Sequence, residues 1–263
     1  MAETLHIFSA GVVMGLAGQL IEKWNGDHPE LPAVLSAGGS VDLIRRALAG
    51  EPCDVLISAD DAIIASLMMP RHADGYVIFA GNKMVVTATP GHEITSQDWK
   101  EKLLAPTARF AHFNPQADPG GYRAVLSLML ADNYEKGLSA KLLNHPGHIT
   151  LADKPQPGQK PDFDYMFGYY SGARSRHIPL AELPPVMDLS DDSLAQLYSS
   201  VEIKLDDKNV VQGSPIAHAL TIPKAARCPE AAKDFAGQFL RTDFAAHHFI
   251  PRNKIVGAGL DRP

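Results

Sequence analysis

The sequence predicts an α/β protein of two lobes, and three observations carry the prediction. Strand-like apolar runs alternate with amphipathic helical runs from residue 5 onward, a second series of such units follows, and further strands return near the end. The 263 residues suffice for two lobes of roughly 100 to 150 residues each.

The elements follow in order. Residues 5–8 read as a short buried strand, Ser9-Ala10-Gly11 as a turn, and 13–24 as a helix with Leu16, Leu20, Ile21 and Trp24 on one face. The unit recurs as strand 33–36, turn Ala37-Gly38-Gly39-Ser40 and helix 41–49 closed by Gly50, then as strand 54–58 with Asp60 opening helix 61–68. Consecutive units of this kind imply a mostly parallel sheet flanked by helices. Strands at 76–79 and 83–87, around Gly81-Asn82, are expected to complete the first sheet.

The second series has a helix start at 95–99, a strand at 109–113 and a long amphipathic helix at 121–134 whose start is marked by Asp118-Pro119. Residues 152–162, with Pro155, Pro157, Gly158 and Pro161, read as a loop. A strand is expected at 163–170 and an extended run at 178–187, broken by Pro179 and Pro184-Pro185. Strands at 201–205 and 217–222, a helix at 228–240 and a short helix at 243–248 end the chain.

Composition excludes several classes. With 24 Lys and Arg against 30 Asp and Glu, the net charge of −6 argues against a nucleic-acid surface. It leaves room for an anionic small ligand, because backbone dipoles can hold an anion in a negatively charged protein. Only Cys53 and Cys228 are present, so neither a disulfide-rich scaffold nor a Cys-based metal motif can be built, and their redox state stays open. The apolar stretch 5–21 has no basic residue before it and contains His6, Ser9 and Gln19, so it reads as folded structure and not as a signal peptide. Ala2-Glu3-Thr4 after Met1 would suit a mature exported protein whose leader has been replaced.

The turns at Ser9, Ser40 and Asp118 each lie where a strand ends and a helix begins, which is where open α/β sheets gather ligands. The alternative is that Ser40 and Asp118 simply cap their own helices. Gly38-Gly39-Ser40 has neither the phosphate-loop ending nor the dinucleotide spacing, so nucleotide binding is not expected. His145 and His148, and the adjacent His247-His248, lack the spacing of a zinc motif and read as surface residues, so no metal site is expected. Ser58 and Ser171 lack a nucleophile elbow and no acid/base pair stands out, so no enzyme activity is expected. Tyr165, Phe167 and Tyr169 fall on one strand face, where core packing is the default; a phenol at the strand end could also donate into a cleft.

Several segments together resemble a known family. Ala37-Gly38-Gly39-Ser40-Val41 with Arg45, Cys53-Asp54-Val55-Leu56-Ile57-Ser58-Ala59-Asp60, and Phe113-Asn114-Pro115 running to Asp118-Pro119-Gly120-Gly121-Tyr122-Arg123 are similar to the molybdate/tungstate-binding proteins of ABC importers, in particular their archaeal-type branch. The stretches 76–82 and 211–216, followed by Thr221-Ile222-Pro223, extend the likeness over nearly the whole chain.

The resemblance implies a two-lobed periplasmic-binding-protein-like fold of type II, crossed twice by the chain: lobe 1 over 1–86 and 209–263, lobe 2 over 87–208. Crossings are expected near Val86-Thr87 and at 208–212. It further implies an ABC permease as partner, a monomeric binding protein in the periplasm or another extracytoplasmic space, and molybdate or tungstate held in the interlobe cleft without any cofactor. The residue-by-residue match sets Ser40 in the second turn, Asp118 at the second-lobe helix start and Tyr169 at the strand end. The expected donors are the hydroxyls of Ser9, Ser40 and Tyr169 and the N–H groups of Ala10, Ser40 and Gly120. Asp118 either caps its helix or coordinates the metal centre of the oxyanion.

Two positions depart from the family pattern. Val12 stands where the first turn usually carries a serine, and Gly168 where the archaeal-type branch has a glutamate. That glutamate, with the aspartate, is associated with six-fold oxygen coordination of the metal, so its loss points here to an ordinary tetrahedral oxyanion. The rival readings are a binding protein for sulfate, phosphate or chromate, and an enzyme or sensor domain on the same architecture.

Overall fold

The computed structural model describes residues 3–152, 160–206 and 209–258. Pro155, Pro157 and Gly158 of the expected loop, and Lys208 of the expected second crossing, lie outside the described residues. The chain forms two units, with one crossing between Gly81 and Asn82 and the other between Ile216 and Ala217; His247–Phe249 also group with the second unit.

The first unit opens with β1 (Leu5–Ala10), α1 (Met14–Asp27), β2 (Ala33–Gly38), α2 (Ser40–Leu48), β3 (Val55–Ser58), α3 (Asp61–Leu67) and β4 (Gly75–Gly81). The second holds β5 (Met84–Ala88), α4 (Trp99–Leu104), β6 (Phe110–Phe113), α5 (Pro119–Met129), α6 (Leu138–Leu143), β7 (His148–Leu151), β8 (Tyr165–Tyr169), α7 (Tyr170–Ser175), β9 (Leu180–Glu182), α8 (Pro185–Asp188), α9 (Ala195–Tyr198), β10 (Glu202–Lys204) and β11 (Val210–Gln212). The chain then returns to the first unit with β12 (Ala217–Thr221), α10 (Pro229–Leu240) and β13 (Ile250–Gly257). No helix among the described residues is long and apolar enough to cross a membrane.

The sheet of the first unit runs β13-β4-β12-β3-β1-β2. β1 is parallel to β2 and β3, as the opening units require, whereas β12 is antiparallel to both β3 and β4, and β13 to β4. The expectation of a mostly parallel sheet is therefore corrected to a mixed one, because the returning chain inserts β12 between β3 and β4. β3 and β4 are buried along their whole length, consistent with their unbroken apolar runs. Phe79 packs against Phe239 and Phe244 at 5.2 and 4.8 Å between ring centroids, so α10 and the turn after it close one side of this core.

Asp54 ties the unit together from within. Its fully buried carboxylate accepts from the backbone N–H groups of His6 (2.8 Å), Arg227 (2.6 Å) and Cys228 (3.0 Å), which pins the entry to α10 beside β1. A buried charge is tolerable only with such a set of donors. Cys53 and Cys228 are buried free thiols, and burial pushes both up from the usual thiol range.

The second unit has a five-stranded sheet ordered β7-β6-β8-β5-β9 and a separate antiparallel pair, β10-β11. β5 thus belongs here and not to the first sheet, a second correction: Gly81-Asn82, which resembles a hairpin turn, is a crossing between units. Val86 and Thr87 lie within β5, paired to β8 and β9. Residues 178–187 are not one extended run, since Pro185 opens α8 where its missing N–H costs nothing. Residues 244–248 are turns, not a helix: the Asp243 carboxylate takes the N–H groups of Ala245 and Ala246 as a helix cap would, but His248, at a φ of 65°, leaves the helical conformation before a second turn can form.

α5 is buried over nearly its whole length. Its Arg123 is fully buried and donates through Nη1 to the carbonyl of Ser214 (2.6 Å) and to its hydroxyl (3.1 Å).

Candidate ligand-binding site

In the first unit the parallel strands β3, β1 and β2 end side by side, with Ala10 opposite Gly38 and Ser9 opposite Ile57. The turns after them open α1, α2 and α3, so three helix N-termini, each carrying the partial positive charge of its helix dipole, gather at the same end of the sheet.

Ser40 is the first residue of α2, and Gly39, extended at φ −73° and ψ 138°, stands at the N-cap. Ser40 therefore does not cap its own helix. Its Oγ instead accepts the N–H of Ala59 at 2.9 Å, across from the turn after β3. That bond occupies an acceptor lone pair and leaves the hydroxyl proton to be donated elsewhere. The Ala59 turn is itself held on both sides. The Ser58 hydroxyl accepts from Asp60 N–H (3.1 Å) and donates to the Asp60 carbonyl (2.7 Å), and the Asp60 carboxylate caps α3 through Ala62 N–H (2.9 Å).

Ser9 is different. It is fully buried and its hydroxyl donates to the Ala10 carbonyl at 3.2 Å, so it is turned along its own strand. Ala10 ends β1; its carbonyl also accepts from Val13 N–H (3.1 Å), while Gly11 N–H goes to the Gly38 carbonyl (3.2 Å). Ser9, Ala10 and Ser40 thus lie at the same end of the parallel strands, where the Ser9 hydroxyl donates to its own strand and the Ser40 hydroxyl accepts from Ala59.

In the second unit Asp118 is the N-cap of α5, its Oδ1 accepting from Gly120 N–H at 2.8 Å. Of the two roles open to Asp118, helix capping is the one the structure shows, and it engages the Gly120 amide. The preceding turn is built by Asn114, whose carbonyl accepts from Ala117 and Asp118 and whose side chain accepts from Gln116 N–H. Tyr169 ends β8 opposite Met84, with its hydroxyl oxygen buried.

Tyr169 is held beside α5. A Cβ on Gly120 would lie 3.5 Å from the Tyr169 ring and 3.2 Å from Asp118 Oδ1, so Asp118, Gly120 and Tyr169 form one cluster. The segment after Tyr169 is fixed by Asn82, which donates to the Ser171 hydroxyl (2.7 Å) and accepts from Ser171 N–H (3.3 Å), and by Tyr170 N–H on the Lys83 carbonyl (3.0 Å). A Cβ at Gly168 would meet no atom within 4 Å.

Among the described residues no group of three or more His, Cys, Asp or Glu side chains could hold a metal ion. His145 Nδ1 accepts from Gly147 N–H (3.1 Å) and His148 Nδ1 bonds the Leu143 carbonyl (3.1 Å), so these rings serve the backbone around them. The sequence reading missed two contributors. Ala59 supplies the N–H that orients Ser40, and His218 bonds Ala59 in turn; an alanine in a turn and one histidine in a strand carry no spacing signal.

The chain matches the bacterial extracellular solute-binding proteins over residues 5–249. It belongs to that family. Among its relatives, an uncharacterised solute-binding protein of Methanoculleus marisnigri is 30% identical, over 88% of this chain and 76% of that protein. The molybdate/tungstate-binding protein WtpA of Pyrococcus abyssi is 29% identical, over 76% of this chain and 67% of WtpA. Among solved structures, the periplasmic molybdate-binding protein of Azotobacter vinelandii superposes with a TM-score of 0.69 at 18% identity, over 94% of this chain and 99% of the other. At that identity the superposition speaks for the fold. The solute-binding family and the fold together make a small solute the ligand and an ABC-type transporter the setting.

Proposed function

We propose that this chain is the substrate-binding component of an ABC importer that captures a tetrahedral oxyanion, molybdate or tungstate before others, and that it catalyses no reaction. The observation that supports the reading is the Ser40 hydroxyl at the N-terminus of α2, whose oxygen accepts from Ala59 N–H and whose proton a bound anion could then take. A dianion without a cation needs donors of this kind. Charge-assisted hydrogen bonds contribute roughly 1.5 to 3 kcal/mol each, and nanomolar binding needs about 12 kcal/mol, so some five to seven donors are enough. The relative in Pyrococcus abyssi supports molybdate and tungstate as the first anions to test.

In this reading Ser40 and Tyr169 give hydroxyl donors and the N-terminus of α2 gives amide donors, while Asp118 stays engaged with the Gly120 amide of its own helix, which corrects the expectation of Gly120 as a donor. Capping lessens a real penalty, since a carboxylate 4 Å from one negative charge is repelled by about 4 kcal/mol at an effective dielectric near 20. With Gly168 in place of a glutamate, the anion keeps four oxygens around its metal.

Calorimetric titration of the wild type, Ser40→Ala and Tyr169→Phe with molybdate and tungstate tests the assignment. Each variant is expected to bind roughly 10- to 100-fold more weakly. Variants that bind as tightly as the wild type would remove both residues from the site.

A further inference from the structure

We propose that His218 is a positioning residue for the Ser40 hydroxyl and through it sets oxyanion affinity. The inference rests on the reading of Ser40 as a donor to the bound anion. His218 lies in β12 where the register against β4 shifts between His218 and Ala219, an irregularity of the kind that re-aims a side chain. The ring is fully buried and faces Phe79 at 6.3 Å between centroids. Its Nδ1 lies 2.8 Å from the Ala59 carbonyl oxygen. A carbonyl only accepts, so Nδ1 carries the proton and donates.

Ala59 is thereby gripped from both ends. Its carbonyl is held by His218, and its N–H is committed to Ser40 Oγ at 2.9 Å. Ala59 has no polar side chain with which to fix itself, so these two bonds, with the Ser58–Asp60 pair beside them, determine where its N–H points. Loss of the His218 donor leaves a buried carbonyl unsatisfied and frees the turn to rotate. The Ser40 hydroxyl then loses the bond that reserves its proton for the ligand.

The test is a double-mutant cycle read by titration with sodium molybdate well below the unfolding temperature. His218→Phe keeps the ring and removes the donor; His218→Asn keeps an amide N–H near the position of Nδ1. The expected result is a dissociation constant raised roughly 10-fold in His218→Phe, and restored to within about 3-fold of wild type in His218→Asn. On a Ser40→Ala background, His218→Phe should add less than about 2-fold, because the two act through one bond. The Ala59 amide proton resonance should also move in His218→Phe before any anion is added.

Wild-type affinity in His218→Phe overturns the proposal. So does an equal His218→Phe penalty with and without Ser40, which would show a general loss of structure. If His218→Phe does not fold, His218→Gln, whose amide reaches past Nδ1, replaces it with the same expected loss. A wild-type protein that binds no molybdate defeats the functional reading itself, and the proposal with it; binding that Ser40→Ala weakens while His218→Phe leaves intact defeats the proposal alone.

Discussion

Two glycines near the candidate site show how residue-scale geometry decides what the chain accepts. At Gly121 a Cβ would stand 2.4 Å from the Phe113 carbonyl oxygen and 2.8 Å from the Asn114 carbonyl carbon, both backbone atoms that cannot step aside. Gly168 faces open space instead. Gly121→Ala should therefore cost about 1 to 3 kcal/mol of stability, the range for forced overpacking, while Gly168→Ala stays within about 0.5 kcal/mol of wild type. Urea unfolding of both variants checks this, and equal midpoints would contradict the close approach of α5 to the turn after β6. Gly121 lies inside a motif that the sequence makes conspicuous; what it does not reveal is the bond partner of each polar group. Asp118 before Pro119 is legible as a cap because proline at the first helical position leaves the N-cap to its neighbour. Ser40 resembles a cap in sequence just as well, yet Gly39 takes that place and Ser40 turns to Ala59, 19 residues away. Long-range backbone bonds of this type leave no local trace.

At the scale of elements, neighbouring strands bring two histidines together in the second unit. His112 on β6 and His148 on β7 have ring centroids 5.0 Å apart, with His145 close to the Phe110 ring at 5.5 Å. Burial pulls both His112 and His148 below the ordinary histidine value, each is lowered further by a neighbouring histidine, and the backbone bonds to Phe113 and Leu143 offset this only in part. The unfolded chain thus takes up protons below about pH 6.5 while the folded unit resists them. The stability contributed is complete above that pH and is lost as pH falls from it through the lowered folded values, with a slope of up to about 2.7 kcal/mol per unit for two protons. Urea unfolding at pH 7.5 and 5.5 should show the loss, and a His112→Gln/His148→Phe double variant should flatten it. A wild type more stable at pH 5.5 would contradict the account. The elements themselves were unequally legible. β1, β3 and β4 announce themselves by unbroken apolar runs, whereas β13, Ile-Pro-Arg-Asn-Lys-Ile-Val-Gly, carries a proline and a register shift against β4 and shows no alternation. α7, α8 and α9 are too short for a helical period to register.

At the scale of the whole molecule, the strand–turn–helix repeats were enough to announce two α/β units, because each repeat is local in sequence. The sheet to which β5 belongs was not, since only Asn82 and Lys83 separate β4 from β5, as in a two-residue hairpin, and only pairing with β8 and β9 assigns it. Membership of the extracellular solute-binding proteins follows from the match over residues 5–249. The oxyanion is the ligand we propose, because hydroxyl and amide donors at strand ends would suit a fully ionised anion.

Thermal unfolding of dialysed protein against molybdate, tungstate, sulfate, phosphate and chromate at equal ionic strength tests that central claim most directly. A ligand present at 100 times its dissociation constant adds about 2.7 kcal/mol, a rise on the order of 5 to 10 °C for a chain of this size. The account predicts such a rise with molybdate and tungstate and none with the other three. A rise with sulfate or phosphate alone, or with no anion at all, would contradict it.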